Sequence, residues 1–132
     1  MGRQIRRSWL TILVFLCCVA SFVHGQQSQN LDQQFKAAVA EYEAGKLSEA
    51  AAHLEKLLPH APESFELHEL LGLVYAGDSQ NAKANIHLEK AVRLNPNSVA
   101  ARTNLAANLL RLGKLDLARE QFRKNVRPDI SR

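Results

Sequence analysis

Three short patterns in the middle of the chain would do chemistry if their partners were present. His68-Glu69-Leu70-Leu71-Gly72 opens like a zinc-protease helix, in which two histidines four residues apart hold the metal and the glutamate acts as general base. Gly72 stands where the second histidine must be, and one imidazole cannot make that site. Gly72 and Gly77 have the spacing of a phosphate-cradling loop, but Asp78-Ser79 follows where a lysine must meet the phosphates, and the aspartate would repel them. His53 and His87 hold the same place in two copies of one tetrapeptide, so they could approach each other around a metal ion. With no cysteine and no aspartate cluster beside them, partly exposed helix histidines are the expected reading. No serine, histidine and acid arrangement sits in a recognisable elbow or loop. The expectation is a protein without enzymatic activity, cofactor or bound metal.

The elements that carry these residues repeat. Laid on itself at a shift of 34, the chain aligns Ala50 with Ala84 and Ala118, Leu54 with Leu88 and Phe122, and Pro62 with Pro96. The tetrapeptide His53-Leu54-Glu55-Lys56 recurs as His87-Leu88-Glu89-Lys90. Gly45 and Gly113 lie two periods apart, with Ser79 at the place between them. Each unit reads as two helices around a break. In the third, Leu105, Leu109 and Leu112 recur at four and three residues, Gly113-Lys114 interrupts, and Leu115, Ala118, Phe122 and Val126 resume. Asn30 with Gln33 forms a capping pair, and Ser64 and Ser98 stand where the second and third units open. Apolar residues make up 46% of the chain but aromatics only 6%, so the core is built from Leu, Ala and Val, which suits helices and leaves no strand candidate.

These residues resemble the tetratricopeptide repeat, a 34-residue helix-turn-helix with a Leu-Gly pair, a Tyr, an Ala, an aromatic and a terminal Pro. The second unit matches best, with Leu71-Gly72, Tyr75, Ala84, Leu88, Ala91 and Asn95-Pro96-Asn97. The third carries Asn104-Leu105-Ala106, Gly113, Asp116, Ala118 and Phe122, and the first Gly45-Lys46-Leu47, Glu49-Ala50, Leu54 and Pro62. Departures are Gln34, His68 and Arg102 at the family's early large residue, Asn125 at a usually small one, and an early Pro128. The resemblance implies an all-α fold, a right-handed superhelical stack of about six helices over residues 31–132, in units 31–64, 65–98 and 99–132. It also implies that the first helix of each unit lines a concave groove that holds a partner segment. The implied groove residues are Asp32, Phe35, Val39 and Tyr42, then Glu66, Glu69, Leu73 and Ala76, then Ala100, Thr103, Ala107 and Leu110. They lack the Lys and Asn combination with which some members clamp a terminal carboxylate.

Ahead of the repeats, three arginines at Arg3, Arg6 and Arg7 precede an apolar run from Trp9 to Val23 and then Val23-His24-Gly25, the layout of a secretory signal peptide over residues 1–25. Fifteen such residues span about 23 Å as a helix, short of the roughly 30 Å of a bilayer core, so cleavage is expected rather than an N-terminal membrane anchor. The mature protein would be periplasmic or secreted. Cys17 and Cys18 would leave with the leader, and residues 26–30 read as a flexible polar tether. The net charge of +4 is mostly the leader's: without it 14 cations face 13 carboxylates.

What remains is a gradient. The first unit has three cations against six carboxylates, the second three against four, and the third eight against three. The expected partner is another protein or peptide, in an extended or helical segment carrying Lys or Arg, steered by that field. Self-association into a scaffold through the last repeat, and a secondary membrane-surface contact through its basic helix, are the alternatives. Nucleic acid is disfavoured, because only Phe122 interrupts the basic residues of the last helix and the leader directs the chain outward.

Overall fold

The computed structural model describes residues 30–126, and the leader, residues 26–29 of the tether and the end of the chain with Pro128 lie outside them. Contacts divide the chain after Gln33; of the first unit residues 30–33 are described, as helix, and the second is the repeat stack. Among the described residues there are six helices and no strand: α1 (residues 30–43), α2 (Leu47–Leu57), α3 (Phe65–Gly77), α4 (Asn81–Leu94), α5 (Val99–Arg111) and α6 (Leu115–Val126). None is long and apolar enough to cross a membrane.

α3 and α5 start where their residues dictate. Ser64 and Ser98, in extended backbone, accept the amide hydrogens of Leu67 and Ala101 on their hydroxyl oxygens at 3.2 and 3.1 Å. Each closes a turn behind a proline, Ala61 to Ser64 and Asn95 to Ser98, bonded amide to carbonyl at 3.1 and 3.2 Å. Residue 30, the first described, is helical, and the start of α1 with its expected capping pair Asn30 and Gln33 lies at the edge of the described residues.

The break inside each unit is one motif used three times. Gly45, Ser79 and Gly113 all take a positive φ, +74°, +60° and +72°. The next residue's amide then reaches back five residues: Lys46 to Glu41, Gln80 to Tyr75 and Lys114 to Leu109, at 2.8, 2.8 and 2.9 Å. These bonds satisfy carbonyls that the helix end would otherwise leave bare. Serine adopts this conformation at a cost glycine avoids. Ser79→Gly is therefore expected to stabilise the protein by about 1 kcal/mol, read as a raised urea midpoint with unchanged slope; an unchanged midpoint would mean that Ser79 is unstrained.

Packing follows the repeat. α2 packs on α3, α3 on α4, α4 on α5 and α5 on α6, and α3 also touches α5, so the first helices of the second and third units are neighbours. Small residues make the closest approaches: Ala38, Ala50, Ala84, Ala91, Ala101, Ala106 and Ala118 have no exposed surface, and Leu54, Leu71 and Leu88 fill the layers between them.

Candidate functional site

The twelve residues expected in the groove lie on α1, α3 and α5, and none is buried. Asp32, Glu66, Ala100, Thr103 and Leu110 are exposed, and Phe35, Val39, Tyr42, Glu69, Leu73, Ala76 and Ala107 are half-buried. Their spacing of three and four residues sets those of each helix on one face. The contact between α3 and α5 makes the two faces adjacent.

The face has a chemical direction. At its α3 start, Glu66 and Glu69 stand one turn apart, and Ser64 donates its hydroxyl to Glu66 at 3.2 Å. Partial burial, and then the neighbouring Glu66 carboxylate, hold Glu69 above the usual carboxylate range. A cation placed between them would relieve that repulsion. Leu73, Ala76, Ala107 and Leu110 supply an apolar middle, with Leu110 47% exposed although it is a leucine. At the far end Arg111 extends its guanidinium to the Ala76 carbonyl at 3.5 Å. Sequence reasoning missed Arg111, although it follows Leu110 directly in the helix pattern. Thr103 is partly engaged: it donates to the Val99 carbonyl at 2.8 Å and accepts from Asn125 at 3.2 Å, a use for the asparagine that replaces a small residue on α6.

Two of the unusual residues at the early repeat position, Arg102 and His68, also have partners on the second helix of their unit. Arg102 bonds the Lys124 carbonyl at 3.2 Å and also the Pro96 carbonyl. His68 meets His87, Nδ1 to Nδ1, at 3.0 Å. His53 and His87 are the partly exposed helix residues expected, and do not meet each other: His87 lies against His68, while His53 contacts Glu41 on α1 at 2.8 Å. The repeat register explains it, since the early position of a first helix faces the second helix of its own unit.

A sequence model of the family described as Tetratricopeptide repeat matches residues 35–86 and 73–131. Among solved structures, a double mutant of MamA from RS-1 superposes with a TM-score of 0.71 at 26% identity, over 73% of this chain and 54% of that one. MamA 41-end from Desulfovibrio magneticus RS-1 gives 0.68 at 27% identity, over 74% and 57%. The chain thus spans a little over half the length of these two relatives. The second TPR of Spaghetti (RPAP3), bound to the HSP90 peptide SRMEEVD, gives 0.71 at 17% identity, over 76% and 94%. No curated protein sequence matches the chain.

Proposed function

Because the chain belongs to the tetratricopeptide repeat family, we propose that it is an exported, non-catalytic adaptor that holds a segment of another protein against the face formed by α1, α3 and α5. The fold is a protein-interaction module, and two similar structures are RPAP3 repeats bound to a peptide. The observation that carries the finer reading is the pairing of Glu66 and Glu69 with uncovered apolar surface at Leu73 and Leu110. Such a face takes an extended or helical segment whose Lys or Arg meets the carboxylates while apolar side chains occupy the middle.

A pull-down from the exported fraction, read by mass spectrometry, tests it beside a folded Tyr42→Ala, Glu66→Ala, Glu69→Ala control. Partners captured by the wild type and lost with the control support the groove; equal capture by both sinks it. With a captured segment in hand, Glu66→Lys with Glu69→Lys is expected to weaken binding roughly tenfold at low salt, since exposed pairs contribute about 0.2–1 kcal/mol each and reversal removes attraction and adds repulsion. The difference should shrink at about 1 M salt, where screening acts within about 3 Å. Binding that ignores salt and both substitutions would remove the electrostatic part of the proposal.

Export rests on the leader and is tested by N-terminal sequencing of the secreted or periplasmic protein: a start near Gln26 supports cleavage, and an intact Met1 supports an anchor. A second reading, self-stacking, is favoured by α6, whose Leu115, Phe122 and Val126 are 60%, 40% and 81% exposed, while Leu88, the counterpart of Phe122, is fully covered. Sedimentation that is independent of concentration would exclude it, and salt-sensitive liposome binding would favour the membrane alternative instead.

A further inference from the structure

His68 on α3 and His87 on α4 meet between the helices of the middle unit, with Nδ1 facing Nδ1 at 3.0 Å and ring centroids 5.3 Å apart. His68 is buried, and its Nε2 lies 3.0 Å from the Pro62 carbonyl. A carbonyl oxygen only accepts, so Nε2 carries a proton, and neutral His68 is left with a lone pair on Nδ1. His87 must then donate from its own Nδ1. The contact therefore holds one proton between the two rings.

One further proton is accommodated. Whichever ring it charges, one N–H can still face one lone pair, with His87 changing tautomer when His68 is the cation. A second further proton cannot be. It sets two N–H groups head to head, without an acceptor, and two like charges side by side away from full solvent.

The titratable and charged groups around the pair lie on α2, on the connection from α2 to α3, and on α3 and α4. Glu55 of α2 accepts the hydroxyl of Tyr75, and the Tyr75 ring of α3 stacks on His87 at 5.7 Å. Lys83 of α4 lies 5.0 Å above the Tyr75 ring. Glu63, in the connection from α2 to α3, is held by Lys90 at 2.7 Å and feels the charge of His68. Burial, and then His68, hold His87 below the ordinary histidine range, while Glu55 acts against them.

We propose that the His68–His87 pair is a proton-sensitive joint, which fastens α3 to α4 while it shares a single proton and loosens them when acid fully protonates both rings. The sign follows from proton counting. The unfolded chain takes both protons near the ordinary histidine value of about 6.5, and the folded pair takes the last one only at lower pH. Stability is thus complete above about pH 6.5 and falls as the pH drops below it, by at most about tenfold in the folding constant per pH unit for one excess proton. α3 also carries Glu66 and Glu69, but the joint stands whether or not they line a groove.

Nitrogen-resolved imidazole NMR of the wild-type protein tests the geometry directly. At pH 7.5 His68 is expected as the Nε2–H tautomer and His87 as the Nδ1–H tautomer; both rings as Nε2–H would overturn the shared proton. Urea midpoints from pH 7.5 to 5 test the linkage. The wild type and a His53→Gln control should lose stability together, and His87→Gln, whose amide can still donate to His68, should lose less. Equal slopes in wild type and His87→Gln would overturn the joint, and should His87→Gln not fold, independent titration of the two wild-type rings near 6.5 would overturn it equally.

Discussion

Leu88→Ala is expected to cost about 2–5 kcal/mol, the range for truncating a buried leucine where the surroundings collapse only in part. Domains of this kind are stable by only about 5–15 kcal/mol, so the loss is a large share of the whole. Leu88 has no exposed surface and lies between the two helices of the middle unit. It also approaches Gly72 so closely that a Cβ added there would sit 2.5 Å from its Cγ and 2.6 Å from its Cδ2. Gly72→Ala therefore sets two effects against each other. Relief of glycine in a helix is worth about 1 kcal/mol, and overpacking costs about 1–3 kcal/mol, so the single substitution should destabilise. In a Leu88→Ala background the side-chain obstruction is gone and the Leu88 amide nitrogen, 3.3 Å from the added Cβ, is what remains, so the same substitution should cost less. Urea unfolding of the four proteins measures the coupling. Additive effects would show that Leu88 swings aside without cost and that the glycine is not there for close packing.

The repeat was legible because its signals are local and recur. A period of 34 placed Ala84, Leu88 and Pro96 correctly, and Ser79 at the glycine position has the left-handed backbone which that register implies. Ser64 and Ser98 cap as their positions before apolar runs suggest. The middle unit's polar interior was not legible. His53 and His87 are equivalent by sequence, yet they differ in what faces them: Glu41 on α1 in one case and His68 on α3 in the other. Equivalence along a repeat says which residues occupy like places, and only the packed first helix says what meets them there. The same reason hid Arg111, whose reach to Ala76 depends on how α5 lies beside α3. The positions proposed for the groove were legible as one face of each first helix, but the polarity of the α3 and α5 faces, carboxylates at one end and a guanidinium at the other, needed the adjacency of two helices.

Tyr75→Ala should be the other severe substitution, costing about 3–5 kcal/mol as for other buried aromatics. The ring is 3% exposed, stacks on His87 and underlies Lys83, while its hydroxyl reaches Glu55 on the preceding unit. Tyr75→Phe separates these roles. It keeps the ring in the layer and removes one of the bonds between units, at an expected cost of about 0.5–1.5 kcal/mol at neutral pH. Alkali then offers an independent check. Burial first, and then the bond to Glu55 and its charge, push the Tyr75 hydroxyl up to about 12 from its usual 10.0. A raised value means that the folded state keeps a proton the unfolded chain gives up. Stability from this group is complete below pH 10 and is lost as the pH climbs from there towards 12. Urea midpoints measured at pH 9 and 11 should fall more for the wild type than for Tyr75→Phe, narrowing the gap between them as the pH rises. A gap that stays constant would mean that the hydroxyl is free to ionise and that Glu55 does not tie the first unit to the second.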